Sequence, residues 1–138
     1  MLTHVEFSSP AFPAYDDERE LVNPGRHGKR LGEFLAKALQ DKGESVGTLF
    51  SEDWGWILPI EDAGFKLWIG IGNYGKYPEG FLCFIEPHTE YVRKLWTKIR
   101  TVERIEKLKN EMNEALTNCP DITGIKWSSY EEFHRSGT

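Results

Sequence analysis

A chain of 138 residues fits a single domain spanning residues 1–138 and leaves little room for a second. Apolar residues at 39% and charged residues at 28% exclude a disordered or membrane-embedded class, and 13% aromatics provide core volume with rings to spare. A formal charge of −5 argues against binding along a nucleic-acid backbone, although Arg93 to Lys109 hold seven basic side chains against two acidic ones.

In chain order, Leu2 to Phe7 reads as a short strand, and a loop from Ser8 to Leu21 follows, broken by Pro10 and Pro13. Asn23 and Pro24 suit a helix entry, but Gly25 and Gly28 weaken that turn, so firm helix is expected from Lys29. Leu31, Phe34, Leu35, Ala38 and Leu39 recur at helical spacing, and Gly43 provides the stop. The period then shortens to two. Val46–Phe50 is one expected strand, and Trp54, Trp56, Leu58 and Ile60 alternate along a second, which Pro59 places at the outside. Phe65, Leu67, Ile69 and Ile71 mark a third and Phe81–Glu86 a fourth, joined through Asn73–Gly80. Val92, Leu95, Trp96 and Ile99 return to helical spacing after a Thr89 cap. Thr101 caps a further predicted helix, with Val102, Ile105, Leu108, Met112, Ala115 and Leu116 as its stripe and Pro120 as its end. Ile122–Trp127 is a last strand, and Ser128 and Ser129, each with Glu three residues on, predict a capping box and a short helix.

These elements define an α+β fold: a two-layer sandwich with an antiparallel meander sheet of about four to six strands and two or three helices on one face. The second sheet face then carries Trp68 beside Gly70 and Gly72, with Leu82 and Phe84 on the next strand. Glycines beside an aromatic admit close approach, either by a ligand or by the Ser8–Leu21 loop with Phe12 and Tyr15.

Chemical motifs are few. Gly70-Ile71-Gly72-Asn73-Tyr74-Gly75 spells GxGxxG, but a strand follows where the dinucleotide fingerprint needs a helix. Arg26, His27, Lys29 and Arg30 crowd a helix N-terminus, where amides and the dipole favour an anion, unless Asp16, Asp17 or Glu18 occupies it. In Glu52-Asp53-Trp54-Gly55-Trp56, two acids stand beside two indoles expected on one strand face, a pattern that can hold a cation, an amine or a sugar. His4 with Glu6, and Glu86 with His88, can each share a strand face, but no third ligand is identifiable, so no metal site is assigned. Cys83 lies in an apolar run and no CxxC is present, so neither a redox pair nor a zinc knuckle is indicated.

Taken together, the segments NPGRHGKRLGEFLAKAL, SEDWGW, residues Phe65 to Tyr74, GFLCFIEP and the late IKW resemble a family of small bacterial proteins marked by an EDWGW motif, to which no activity is attached. That resemblance implies a bacterial, cytosolic, stand-alone domain. No basic, apolar leader and no 18-residue apolar run is visible, so the cytoplasm is the expected location and no membrane partner is expected. The leading expectation is a non-enzymatic binding module for a protein partner, of inhibitor or immunity type, or for a small ligand, with homo-oligomers possible. Its expected contact residues are Glu52, Asp53, Trp54, Trp56, Trp68, Tyr74, Arg26, His27 and Arg30, with no cofactor and no catalytic residue assigned. The rival is a small hydrolase or transferase with Glu52 or Asp53 as acid/base and an anion site at Arg26–Arg30.

Overall fold

Period-two alternation in the middle of the chain produces a sheet, and the computed structural model describes it over residues 1–23, 26–74 and 77–135. The strands β1 (His4–Ser8), β2 (Phe50–Glu52), β3 (Gly55–Ile60), β4 (Leu67–Tyr74), β5 (Tyr77–Glu86) and β8 (Thr123–Ser128) join in the order β2-β3-β4-β5-β1-β8. Every pairing is antiparallel. The first four in that row form the expected meander, while the N-terminal strand slots between β5 and the late strand β8. Two further strands, β6 (Tyr91–Lys94) and β7 (Thr97–Arg100), make a separate hairpin.

Strand register sorts the side chains. Pairing Trp56 with Ile71, Leu58 with Ile69 and Ile71 with Cys83 puts Trp56, Leu58, Ile69, Ile71, Phe81, Cys83, Ile85 and Val5 on one buried face. Against that face lie α1 (Lys29–Asp41), through Leu31, Leu35 and Leu39, and α2 (Val102–Thr117), through Ile105, Leu108, Met112 and Leu116. The α1 stripe stops as expected. Gly43 has φ +97°, its N–H donates to the Gln40 carbonyl and that of Glu44 to Leu39, the paired bonds of a Schellman end. Beyond it, the buried Glu44 carboxylate accepts from Arg104 and Lys107 of α2, which ties the two helices together. A short C-terminal helix, α3 (Tyr130–Arg135), opens with the expected reciprocal box: Ser129 N–H to Glu132 at 3.0 Å and Glu132 N–H to Ser129 Oγ at 3.1 Å.

The N-terminus of α1 is organised by an internal anion. Glu18 is only 1% exposed, yet its carboxylate accepts the N–H groups of Tyr15, Gly28 and Lys29 and the Trp56 indole N–H, at 2.6–3.0 Å. Burial pushes this carboxyl up, but the donors outweigh that and hold it below its ordinary range. The anion expected at Arg26–Arg30 is therefore the chain's own. Arg30 stacks over the Tyr15 ring at 3.9 Å and donates to the Pro13 carbonyl.

Several expectations are corrected. The segment after Thr89 is a hairpin, not a helix: Val92 pairs with Ile99, and the β-branched residues of Val92, Thr97 and Ile99 together with Tyr91 favour pleated backbone over helical spacing. Thr101 sits at the cap position of α2, but its hydroxyl donates to the Thr89 carbonyl. Val46 makes a single bridge to Ile60 and the strand there is Phe50–Glu52. Pro59 lies where β3 has outrun β2, its carbonyl accepting from Gly47. Asn23 donates its N–H to the Asp53 carbonyl, and Gly28 stands at the cap position of α1; Pro24 and Gly25 lie outside the described residues.

Because Glu18 joins the loop, the helix and β3, Glu18→Gln is expected to cost about 3 kcal/mol of unfolding free energy in urea titration, since an amide offers fewer acceptors to the same donors. Its folded pKa lies below its ordinary 4.5, so this contribution is intact above pH 4.5 and is lost as pH falls through the folded value.

Candidate functional site

Opposite the helices, the same register gathers a second set of side chains. Pairing His4 with Phe84, Glu6 with Leu82, Gly70 with Phe84 and Trp68 with Glu86 places His4, Glu6, Trp68, Gly70, Gly72, Tyr74, Leu82, Phe84 and Glu86 on this face. Its expected cover does not materialise. The Ser8–Leu21 loop runs on the helix side, where Phe12 meets Phe34 and Phe81 and the Tyr15 hydroxyl donates to Glu33.

Two other segments wall the face. At one side Trp54 stands in the two-residue turn between β2 and β3, with its ring 5.5 Å from Phe84 and 6.3 Å from Trp68. At the other, α3 brings Phe133 over His4 at 5.0 Å and Tyr130 flat against His88, centroids 3.8 Å apart and planes 4° from parallel. Between them lies a groove of about 470 Å³ lined chiefly by apolar atoms, with Leu82, Phe84 and Gly72 in its floor and Arg26 and Tyr74 on its rim.

The two glycines differ. A Cβ on Gly70 would strike the Phe84 ring at 2.2–2.7 Å, so the space above Gly70 is filled by Phe84 itself. At Gly72 a Cβ would meet only the Trp54 carbonyl, at 3.2 Å, and the groove opens above it. Gly70–Gly72 thus serves sheet packing and an open floor rather than a phosphate loop; β4 runs on through Tyr74, β5 begins at Tyr77, and Gly75 lies outside the described residues.

Polar groups stand at the groove's margins. The Tyr74 hydroxyl donates to Glu6 at 3.0 Å, and burial with this carboxylate raises its pKa. Glu86 and His88 share a contact at 3.0 Å. Arg26 is exposed and makes no ion pair among the described residues. His4 is 4% exposed; burial first, then the neighbouring His134 and His88, hold its pKa down to about 4, so the ring is neutral near pH 7. Among the described residues no three His, Cys, Asp or Glu side chains form a metal-binding group. Cys83 is fully buried on the opposite face, where burial raises its pKa and keeps the thiol protonated.

Of the residues singled out from sequence, Trp54, Tyr74 and Arg26 line the groove and Trp68 backs it through Trp54 and Phe84. Trp56 does not share a face with Trp54: it is 4% exposed, on the helix side, bonded to Glu18. The reason is local. Trp54 belongs to the turn and only Gly55, at φ +155°, begins the strand. His27 also lies on the helix side, edge-on to Phe81 at 5.5 Å, its pKa lowered by burial. Arg30 is committed to Tyr15 and Pro13. Glu52 and Asp53 are exposed on the hairpin and outside the groove's lining. Sequence reasoning did not assign His4, Tyr130, Phe133 and His134 to the site; the pairs His4/Glu6 and Glu86/His88 were visible, but only the insertion of β1 beside β5 brings them together.

No known protein family, curated protein or solved structure matches the chain.

His4 dictates a pH dependence. The unfolded chain takes up a proton near pH 6.5 and the folded ring only near 4, so protons favour unfolding between these values. Stability is expected to fall by up to roughly 3 kcal/mol across that window on this account. Thermal melts of His4→Gln should show a clearly shallower decline between pH 6.5 and 5 than the parent.

Proposed function

We propose that this protein is a binding module that holds a small ligand with a flat apolar body and an acidic group in the groove on the sheet's second face. The observation that carries the reading is the opening above Gly72: aromatic rings from the β2–β3 turn, from β5 and from α3 converge around it without filling it. A volume of about 470 Å³ falls in the range of small-molecule sites, roughly 300–1,000 Å³. Trp54 and the Tyr130–Phe133 side give a flat body two aromatic walls, and Leu82 with Phe84 gives it an apolar floor.

Charge selects the end group. Arg26 has no anionic partner among the described residues, and an acidic group on the ligand satisfies its guanidinium better than water-exposed neutral groups do. The carboxylates on this face are engaged, Glu6 by Tyr74 and Glu86 by His88. Those commitments favour binding over acid–base chemistry. The acid/base alternative at Glu52 and Asp53 draws no support from side chains that stand outside the groove's lining.

A melting-temperature screen with aryl and polycyclic carboxylates is the direct test. A ligand at a hundred times its Kd stabilises by about 2.7 kcal/mol, a shift of several degrees for a domain of this size. Gly72→Leu fills the opening; its Cβ meets the Trp54 carbonyl at 3.2 Å, so the β2–β3 turn must give by a few tenths of an ångström, and the variant is expected to keep the parent's circular dichroism and abolish the shift. Arg26→Gln should weaken the carboxylate by about tenfold and leave its uncharged amide analogue unchanged. A shift that survives Gly72→Leu overturns the assignment.

A further inference from the structure

The β6–β7 hairpin carries an unexplained feature that is independent of the groove. Its two-residue loop is Leu95-Trp96, and these side chains are 89% and 96% exposed, the most exposed large apolar groups among the described residues. Leu95 also adopts φ +57°, at a loop position that favours glycine or asparagine. The fold gains nothing from either choice. An Asn-Gly loop would close the same strands with less strain and no exposed apolar surface.

Within the hairpin itself the charge is of one sign. From Tyr91 to Arg100 the hairpin holds Arg93, Lys94, Lys98 and Arg100 and no acidic residue. Arg100 is paired with Glu103, and Lys98 lies over the Tyr91 ring at 4.3 Å. Arg93 and Lys94 border a groove with Glu61 and Asp62 and form no ion pair among the described residues. With a rise of roughly 3.3 Å per strand residue, Lys94 stands one step behind the apolar tip and the Arg93–Lys98 pair is set just behind it.

We propose that the hairpin is a docking device for an anionic lipid bilayer, with Leu95 and Trp96 entering the headgroup–acyl boundary and Arg93, Lys94 and Lys98 meeting the lipid phosphates. Trp suits that boundary because its ring is apolar and its N–H is polar, and long basic stems reach from apolar depth to charged headgroups. Basic side chains beside a membrane surface each add to the attraction and lose effect as salt rises. Duplex nucleic acid is the other polyanion that an apolar wedge enters, but it would lie along the body, which carries Glu61 and Asp62 beside the hairpin and a net charge of −5. A bilayer touched only by the tip leaves the bulk of the acidic body at a distance, with Glu61 and Asp62, which share a groove with Arg93 and Lys94, as the nearest carboxylates.

Co-sedimentation with vesicles tests this. The full chain is expected to pellet with vesicles of phosphatidylcholine and phosphatidylglycerol in equal parts, more weakly as salt is added, and far less with phosphatidylcholine alone. The double variant Leu95→Asn/Trp96→Gly keeps a favourable turn, so its circular dichroism and melting temperature should match or exceed the parent's while vesicle affinity drops by roughly tenfold or more. Lys94→Glu with Lys98→Glu should abolish the preference for the anionic lipid. Failure of the parent chain to pellet with the mixed vesicles overturns the proposal, as does equal pelleting of the Asn-Gly variant. Retention by a short DNA duplex without vesicle binding overturns it too.

Discussion

One buried carboxylate sets the geometry on which the rest of the molecule depends. Glu18 accepts from the start of α1, from its own loop at Tyr15 and from the Trp56 indole in β3, so a helix end, a long connection and a strand converge on one side chain. A charge taken out of water at 1% exposure survives only when its acceptor sites are filled, and here they are filled by one donor from its own loop and three from farther along the chain. The loop so held brings Asn23 against the Asp53 carbonyl, beside Trp54, and delivers Arg26 to the rim of the opposite face. The interaction on the helix side thereby bears on the Trp54 wall and the Arg26 rim of the groove on the other.

The sheet supplies the second constraint. Six antiparallel strands present two faces, and two long helices cover only one. The uncovered face solves its exposure in part by self-packing, with Phe84 lying over Gly70 and Trp54 folding back from the turn. A six-residue helix shields the His4 end, and the remaining surface is the groove above Gly72. The neutral His4 ring adds no positive charge at its end of the groove, where Glu86 also lines it, and Arg26 stands as a cation at the rim.

The layer architecture was legible in the sequence because binary patterning alone decides it. The α1 and α2 stripes, the alternation through β3 and β4, the Gly43 stop and the Ser129–Glu132 box each rest on contacts within a few residues. What escaped depends on distant partners. Trp54 is a local exception: Gly55, at φ +155°, admits a turn where period-two spacing expects strand, and this parts Trp54 from Trp56 by the thickness of the sheet. Residues 92–99 satisfy helical spacing, yet as a hairpin they pair Val92 with Ile99 and expel Leu95 and Trp96 into solvent. The basic cluster at the start of α1 was visible, but its anion comes from Glu18, a residue the spacing offered only as one of three acids.

The five tryptophans provide the most direct measurement. Their indole N–H resonances can be followed by NMR as an anionic naphthalene sulfonate is added. Trp54 and Trp68 are expected to shift together and saturably, while Trp56, locked to Glu18, and Trp127, bonded to Asn113, stay in place. A titration that moves Trp56 as much as Trp54, or that leaves Trp54 and Trp68 unmoved, contradicts an open, ligand-sized groove on the second face.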